Sequence, residues 1–216
     1  MDGGKVGTDA GAGTRARPAR EELPLAGEPL ALELVNTTFV RGGSRGILLD
    51  ALRTPDDLGH WLAAHGLPLP AGPAGAGATA AHLERFLELR QALRDLAAAH
   101  TGGETPAAGQ VGLVNAAARL ARSWTELEAG APLRAVTRRV EPDPYLAALG
   151  EVAAAGIGLF TGEAAGRIRA CPAPGCILYF VRSHGRREWC TVTCGNRVRV
   201  ARHGRRQKDG QGQDEI

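Results

Sequence analysis

The sequence predicts a mainly α fold with a small antiparallel β component (α+β): a helical N-terminal domain followed by a small cysteine-bearing unit. Three observations lead there. Hydrophobic residues make up 44% of the 216 residues but aromatic ones only 4%. The core must then be built mostly from Leu, Val and Ala, a composition that favours helices over a large sheet. Apolar residues recur at helical spacing behind recognisable helix starts through residues 30–160. All four cysteines lie between Cys171 and Cys194.

Residues 1–28 are rich in Gly, Ala, Arg and Pro without hydrophobic periodicity, and are expected to form a disordered leader. The apolar run Leu30 to Val40 predicts a short helix, with a strand as the rival. Gly42-Gly43 marks a loop, and Ile47 to Leu52 a short strand. At Thr54-Pro55-Asp56-Asp57, Thr54 caps free amides, Pro55 fits the first helical position and two acids suit the positive end of the helix dipole. The helix that follows carries Leu58, Trp61 and Leu62 inward and stops at Gly66. Pro68 to Ala78 reads as a linker. Thr79 to His100 is the clearest helix, burying Leu83, Phe86, Leu87, Leu93 and Leu96 while Glu84, Arg85, Glu88 and Arg94 face water. Gly102-Gly103 ends it. A further helix spans about Pro106 to Arg122, burying Val111, Val114, Ala118 and Leu120. Trp124 to Ala129 and Leu133 to Val140 form a hairpin around Gly130. Asp143-Pro144 starts a last body helix that reaches about Phe160.

No apolar run approaches the roughly 18–20 residues of a membrane span. The first residues lack the apolar stretch of a signal peptide. The chain is therefore expected in the cytoplasm, without a membrane partner, where thiols stay reduced.

The cysteine spacing is Cys171-x4-Cys176-x13-Cys190-x3-Cys194. Four soft thiolates so close together suit a tetrahedral Zn2+ site. Pro172, Pro174 and Gly175 force a tight knuckle between the first two. The run Ile177 to Val181 is β-forming, Ser183-His184-Gly185 offers a turn, and Arg186 to Trp189 can return antiparallel to it. Cys190 and Cys194, four apart, share one face at a helix start. Knuckle, hairpin and helix together make a treble-clef-like zinc finger. The alternatives are four reduced buried thiols without metal, or a disulfide switch. Four thiolates close the coordination shell and leave no place for an activated water, so the metal is structural.

The net charge of +3 is unevenly divided. Residues 167–216 hold 11 basic and 4 acidic groups, a charge of +7, against −4 for the rest. A basic end on a mildly acidic body suggests a polyanion-binding module. Advancing 100° per residue from Cys190, Asn196, Arg199, His203 and Arg206 fall opposite the ligand face, with Arg202 beside them. Asn and Arg in a stripe suit phosphate contacts and base-edge hydrogen bonds. The competing reading is a basic helix docked on the acidic body. Arg197 instead falls about 20° from Cys190, where a cation offsets the thiolate charge or donates to knuckle carbonyls, a structural role.

The run Trp189 to Arg206, with Cys194-Gly195-Asn196-Arg197 at its centre, resembles the CGNR zinc-finger family. The preceding CPAPGC and GRREWC runs resemble that family's knuckle and second strand. The stretches LALELVNT, TPDDLGHWL and LELRQALRDL resemble the helical domain that accompanies this finger, a domain linked to stress-induced transcription regulation (ABATE-type). The resemblance covers roughly Leu30 to Arg206 and implies a regulator.

The expected organisation is a leader over 1–28, a helical regulator-like domain over 29–166, a CGNR-type finger over 167–207 and a disordered tail over 208–216. His60, His65, His82 and His100 are scattered and no nucleotide-binding or hydrolase motif is present, so no enzyme is expected. Asn36, polar within an apolar segment, is expected to cap or bridge elements, with a ligand contact as the rival. The favoured function is a zinc-dependent DNA-binding transcription regulator whose helical domain takes a small-molecule effector or a protein partner. The rivals are a protein-interaction module with a purely structural finger, and RNA binding through the same arginines.

Overall fold

Local sequence signals set most of the element boundaries. In the computed structural model, which describes residues 23–67 and 77–211 but not the side chains of 204–211, the order is α1 Leu30–Val35, β1 Thr38–Arg41, β2 Ile47–Asp50, α2 Pro55–Ala64, α3 Ala80–Gly102, α4 Ala108–Ala118, β3 Ser123–Glu128, β4 Arg134–Arg139, α5 Pro144–Thr161, β5 Ile168–Ala170, β6 Tyr179–Val181 and α6 Val192–Gln211. The mainly α composition with small antiparallel pairs is as expected. The apolar run Leu30 to Val40 is both things it was read as: a helix that ends at Asn36, then a strand. Most of the segment expected as a linker, 68–76, lies outside the described residues.

The helix starts are built as their residues suggest. Thr54 accepts from the Asp57 amide while the Asp57 carboxylate accepts from the Thr54 amide, a reciprocal pair that closes two free donors. Thr79 and His82 repeat the device at α3. Asp143 accepts from the amides of Tyr145 and Leu146 at α5. Gly103, at φ 72°, takes the left-handed conformation that ends α3.

Helices α1, α3, α4 and α5 pack around one core, with α2 against α3. Leu32, Leu34, Phe86, Leu93, Leu149 and Val152 are at most 1% exposed within it. Each such side chain contributes about 1.5–3 kcal/mol. At Gly150 the α5 backbone meets the 3-10 turn Arg119–Ala121 so closely that a Cβ would strike the Ala121 amide. By length and composition α5 is apolar enough to cross a membrane, contrary to expectation. It is instead a core helix, burying Tyr145, Leu149, Val152 and Leu159.

β1 and β2 pair antiparallel, as do β3 and β4. The finger hairpin departs from expectation. β6 pairs with β5, the strand before Cys171, with Ile168 opposite Val181; Arg186 to Trp189 is not a strand. The Cys171–Cys176 knuckle is itself the hairpin's turn. The segment after Val181 is drawn aside by Arg187, which donates to the carbonyls of Val181 and Cys190.

Both cores cross the expected boundary at residue 166. Ile168, 1% exposed, belongs to the helical core, and Tyr179 and Val181 pack on it. A second core joins Leu25 and Phe39 to Leu178, Phe180, Val198 and the cysteines. Residues 23–28, read as part of the leader, therefore belong to the packed structure: Leu25 is buried and Glu28 is held by the finger. Residues 1–22 lie outside the described residues. The α6 backbone continues to Gln211, past the expected tail boundary at 208, and 212–216 lie outside the described residues.

Candidate metal centre

The knuckle closes when the Cys176 amide donates to the Ala173 carbonyl at 2.9 Å, with Gly175 at φ 71°. The Cys171 amide donates to the Leu178 carbonyl at 2.9 Å and so anchors the first ligand to the strand pair. On the other side, the Thr191 hydroxyl accepts from the Cys194 amide and starts α6. Cys190 precedes that helix and Cys194 sits in its first turn. Trp189 packs over Gly195, where a Cβ would approach its ring at 3.0 Å.

These elements bring the four sulfurs of Cys171, Cys176, Cys190 and Cys194 within 4.8 Å of one another. The Cys176–Cys190 and Cys190–Cys194 separations are 3.7 and 3.5 Å. Thiolates 2.3 Å from a shared tetrahedral ion would be about 3.8 Å apart. Three of the cysteines are buried and Cys176 is half-buried. The donor set and its spacing fit Zn2+. Without metal, hydrogen bonds from Cys176 and Cys190 hold the Cys171 thiol down. The same sharing, with Cys171 first, pushes Cys176 and Cys190 up. Metal binding takes the cysteines as thiolates and so releases their protons.

Polar side chains fasten the finger to the body along one strand edge. Backbone groups of β6 alternate between two directions. Phe180 and its even-numbered neighbours face β5. The odd-numbered groups face outward, where Arg94 donates to the Ile177 carbonyl at 2.9 Å. Asn36 donates to the Tyr179 carbonyl at 2.8 Å and accepts from its amide at 3.1 Å. Glu28 accepts from the Val181 amide at 2.8 Å, and Arg187 donates to the Val181 carbonyl at 2.9 Å. Side chains thus stand where a neighbouring strand would.

Arg94 does not face water as expected. It also donates to the carbonyls of Val35 and Thr38, and burial lowers its guanidinium below the ordinary value. Arg187 pairs with Glu28 at 2.6 Å and lies over the Phe180 ring at 4.9 Å. Neither arginine, nor Glu28, had a signal in the sequence beyond its charge. Asn36 bridges elements and is 3% exposed.

On α6, Asn196, Arg199, Arg202 and His203 are exposed, while Val198 points into the second core. Arg199 donates to the Asn196 side chain. The Arg206 side chain lies outside the described residues. Arg197 is half-buried and donates to the Pro174 carbonyl in the knuckle at 3.1 Å. Beside it lies the tip of the β1–β2 hairpin: a Cβ on Gly43 would approach Arg197 at 3.0 Å. The four histidines of the body stay apart. His60 and His65 meet carbonyls of their own helix, His82 meets Asp143 at 2.9 Å, and His100 meets the Ala165 carbonyl.

A family model described as "Putative stress-induced transcription regulator" (ABATE) matches residues 28–163, and a CGNR zinc-finger model matches residues 167–207. Both are regulatory or zinc-finger types rather than enzymes. No curated protein matches the chain.

Proposed function

The chain belongs to the ABATE family and ends in a CGNR zinc finger, and from that premise we propose that it is a transcription regulator that grips duplex DNA with the outer face of α6. The observation that carries this reading is the open basic face. Arg199 and Arg202 are exposed, and among the described residues neither pairs with a carboxylate. A basic helix docked on its own acidic body would have covered them. Asn196 lies on the same face, where an amide suits a base edge once Arg199 moves to a phosphate. Helical spacing would carry the stripe on to Arg206, and His203 lies within it. Arg197 acts differently, steadying the knuckle that presents the helix. The zinc ion has no catalytic part: it ties the first turn of α6 to the knuckle and fixes the helix direction.

In this reading 29–166 is the sensing or interaction half and 167–207 the binding half. The test is binding of a mixed-sequence duplex across a salt series. Wild-type protein should lose affinity steeply, with log K falling by roughly 0.9 per phosphate neutralised. Salt-independent binding, or none, would reject the DNA reading. Preference for single-stranded or hairpin RNA would transfer the role to RNA.

A second reading rests on Val192 and Val200, which are 79% and 72% exposed on the same helix. Exposed apolar side chains among arginines suit a protein partner. In that case Val200→Asp abolishes partner capture, whereas binding to nucleic acid is absent from the start.

A further inference from the structure

Between the C-terminal end of α3, α4 and the last turns of α5 lies a hollow of about 300 Å³. This sits at the lower end of the ~300–1,000 Å³ range of small-molecule sites. Its wall is apolar, formed by Val111, Val114, Ile157 and Phe160. Val111 and Ile157 remain 39% and 37% exposed at the mouth. Two fully packed helices would have covered these side chains; here they line an opening.

The polar groups of the hollow determine what fits. Thr161 donates its hydroxyl to the Ile157 carbonyl at 2.8 Å, and His100 donates its Nε2 hydrogen to the Ala165 carbonyl at 2.8 Å. Both are engaged with backbone. Glu104 and Asn115 are not: among the described residues neither side chain has a hydrogen-bond or ion-pair partner. The formal charge in the lining without a protein partner is therefore the Glu104 carboxylate, which is exposed at the rim beside the apolar wall, as is Asn115. We propose that this hollow binds a small apolar amine, with its hydrocarbon between α4 and α5 and its ammonium group on Glu104, assisted by the Asn115 amide oxygen. An anionic ligand would meet Glu104 with the wrong sign. A neutral one would gain nothing from the carboxylate, which would stay hydrated. The His100–Ala165 hydrogen bond also ties this wall to the turn Ala165–Arg167, which leads directly into β5 and Cys171. The site is thus placed to affect the finger.

Calorimetric titration of the full chain with 4-phenylbutylamine, 4-phenylbutanol and 4-phenylbutyrate tests the proposal. The expected order is amine, alcohol, carboxylate, with the amine about two- to fivefold tighter than the alcohol. Glu104→Gln should bring the amine down to the alcohol and leave the alcohol unchanged. Ile157→Trp, which fills the mouth, should abolish binding of both while the circular dichroism spectrum stays as in the wild type. If that variant misfolds, Val111→Trp on the opposite wall serves the same purpose. Equal binding of amine and butyrate, no binding of any of the three, or binding that survives a filled mouth would each overturn it. The titration contains no nucleic acid, so its outcome is independent of the DNA reading.

Discussion

Asn36 and Tyr179, 143 residues apart, share two hydrogen bonds in which one side-chain amide imitates the edge of a strand. An amide is the side-chain group that can both donate and accept along one strand edge. Asn36→Ala leaves the amide and carbonyl of Tyr179 unpaired in a partly buried site, which costs about 2–4 kcal/mol for the two groups. Asn36→Asp keeps an acceptor for the amide but repels the carbonyl and buries a charge, and should cost at least as much as alanine. Urea unfolding of the three proteins gives the order directly; an alanine variant within about 0.5 kcal/mol of wild type would mean that the contact carries no stability.

Zinc is expected at one ion per chain. Cys190→Ser should lose it, and a chelator should do the same to the wild type. Because Ile168 belongs to the helical core, metal removal should lower the melting temperature of the helices as well as melt the finger, while much of the helical circular dichroism signal remains at low temperature. Thiolates, not thiols, hold the metal, so retention should fall as pH falls. Release to a chromogenic chelator, followed across pH, measures this. Retention that rises on acidification would contradict thiolate ligation.

Asp143 sets an acid-sensitive contact. Burial alone would raise its carboxyl, but hydrogen bonds from the Leu146 and Tyr145 amides and from His82 outweigh it and hold the group below its ordinary value of 3.8. A carboxyl depressed in the folded state contributes stability that is complete above the unfolded value and is lost as pH falls through the folded one. Asp143→Asn keeps a cap but removes the titration. As pH falls through and below 3.8 the wild type should lose more stability than this variant. Parallel acid limbs for the two proteins would show that the carboxylate is not coupled to folding.

Gly175 lies against the backbone of Gly43 and Ser44, and its φ of 71° disfavours any L side chain. Gly175→Ala should therefore push the β1–β2 hairpin off the knuckle, weaken zinc retention and cost more than the ~1 kcal/mol of a glycine conformational change alone. Gly166→Ala, where a Cβ meets open space, is the control. Thermal melts with zinc quantitation on both variants separate the two sites.

Arg197 and Arg199 should fail in different ways. Arg199→Ala should weaken duplex binding and reduce its salt slope by about one while zinc retention is unchanged. Arg197→Ala removes a donor to the knuckle at Pro174 and should lower metal retention or melting temperature first. Filter binding across salt, run beside the chelator assay, reads both. Identical profiles would reject the division of labour.

Features that act over a few residues were legible in the sequence. Thr54, Thr79 and Asp143 start helices because capping is local chemistry, and the cysteine spacing encoded a metal cluster. What escaped notice acts across long separations. Arg94 sits at an expected surface position on α3, yet it reaches carbonyls of α1, β1 and the finger. Nothing in its neighbours distinguishes it from Arg85, which faces solvent. The β-forming run at Tyr179 was recognisable, but not its partner. Pairing depends on which segment can lie alongside, and the knuckle brings Ile168 back before Arg186 can return. Leu25 and Glu28 looked like leader because their partners lie at the far end of the chain.

That last pairing has a consequence for synthesis. Glu28 leaves the ribosome early, but the Val181 amide and Arg187 that it holds follow 153 and 159 residues later. At translation speeds of about 5–20 residues per second, on the order of ten seconds pass before the clasp can close. Throughout that interval the nascent helical body carries the Glu28 carboxylate and the Asn36 amide without their finger partners, and a message truncated before codon 187 leaves the Glu28 carboxylate without its arginine.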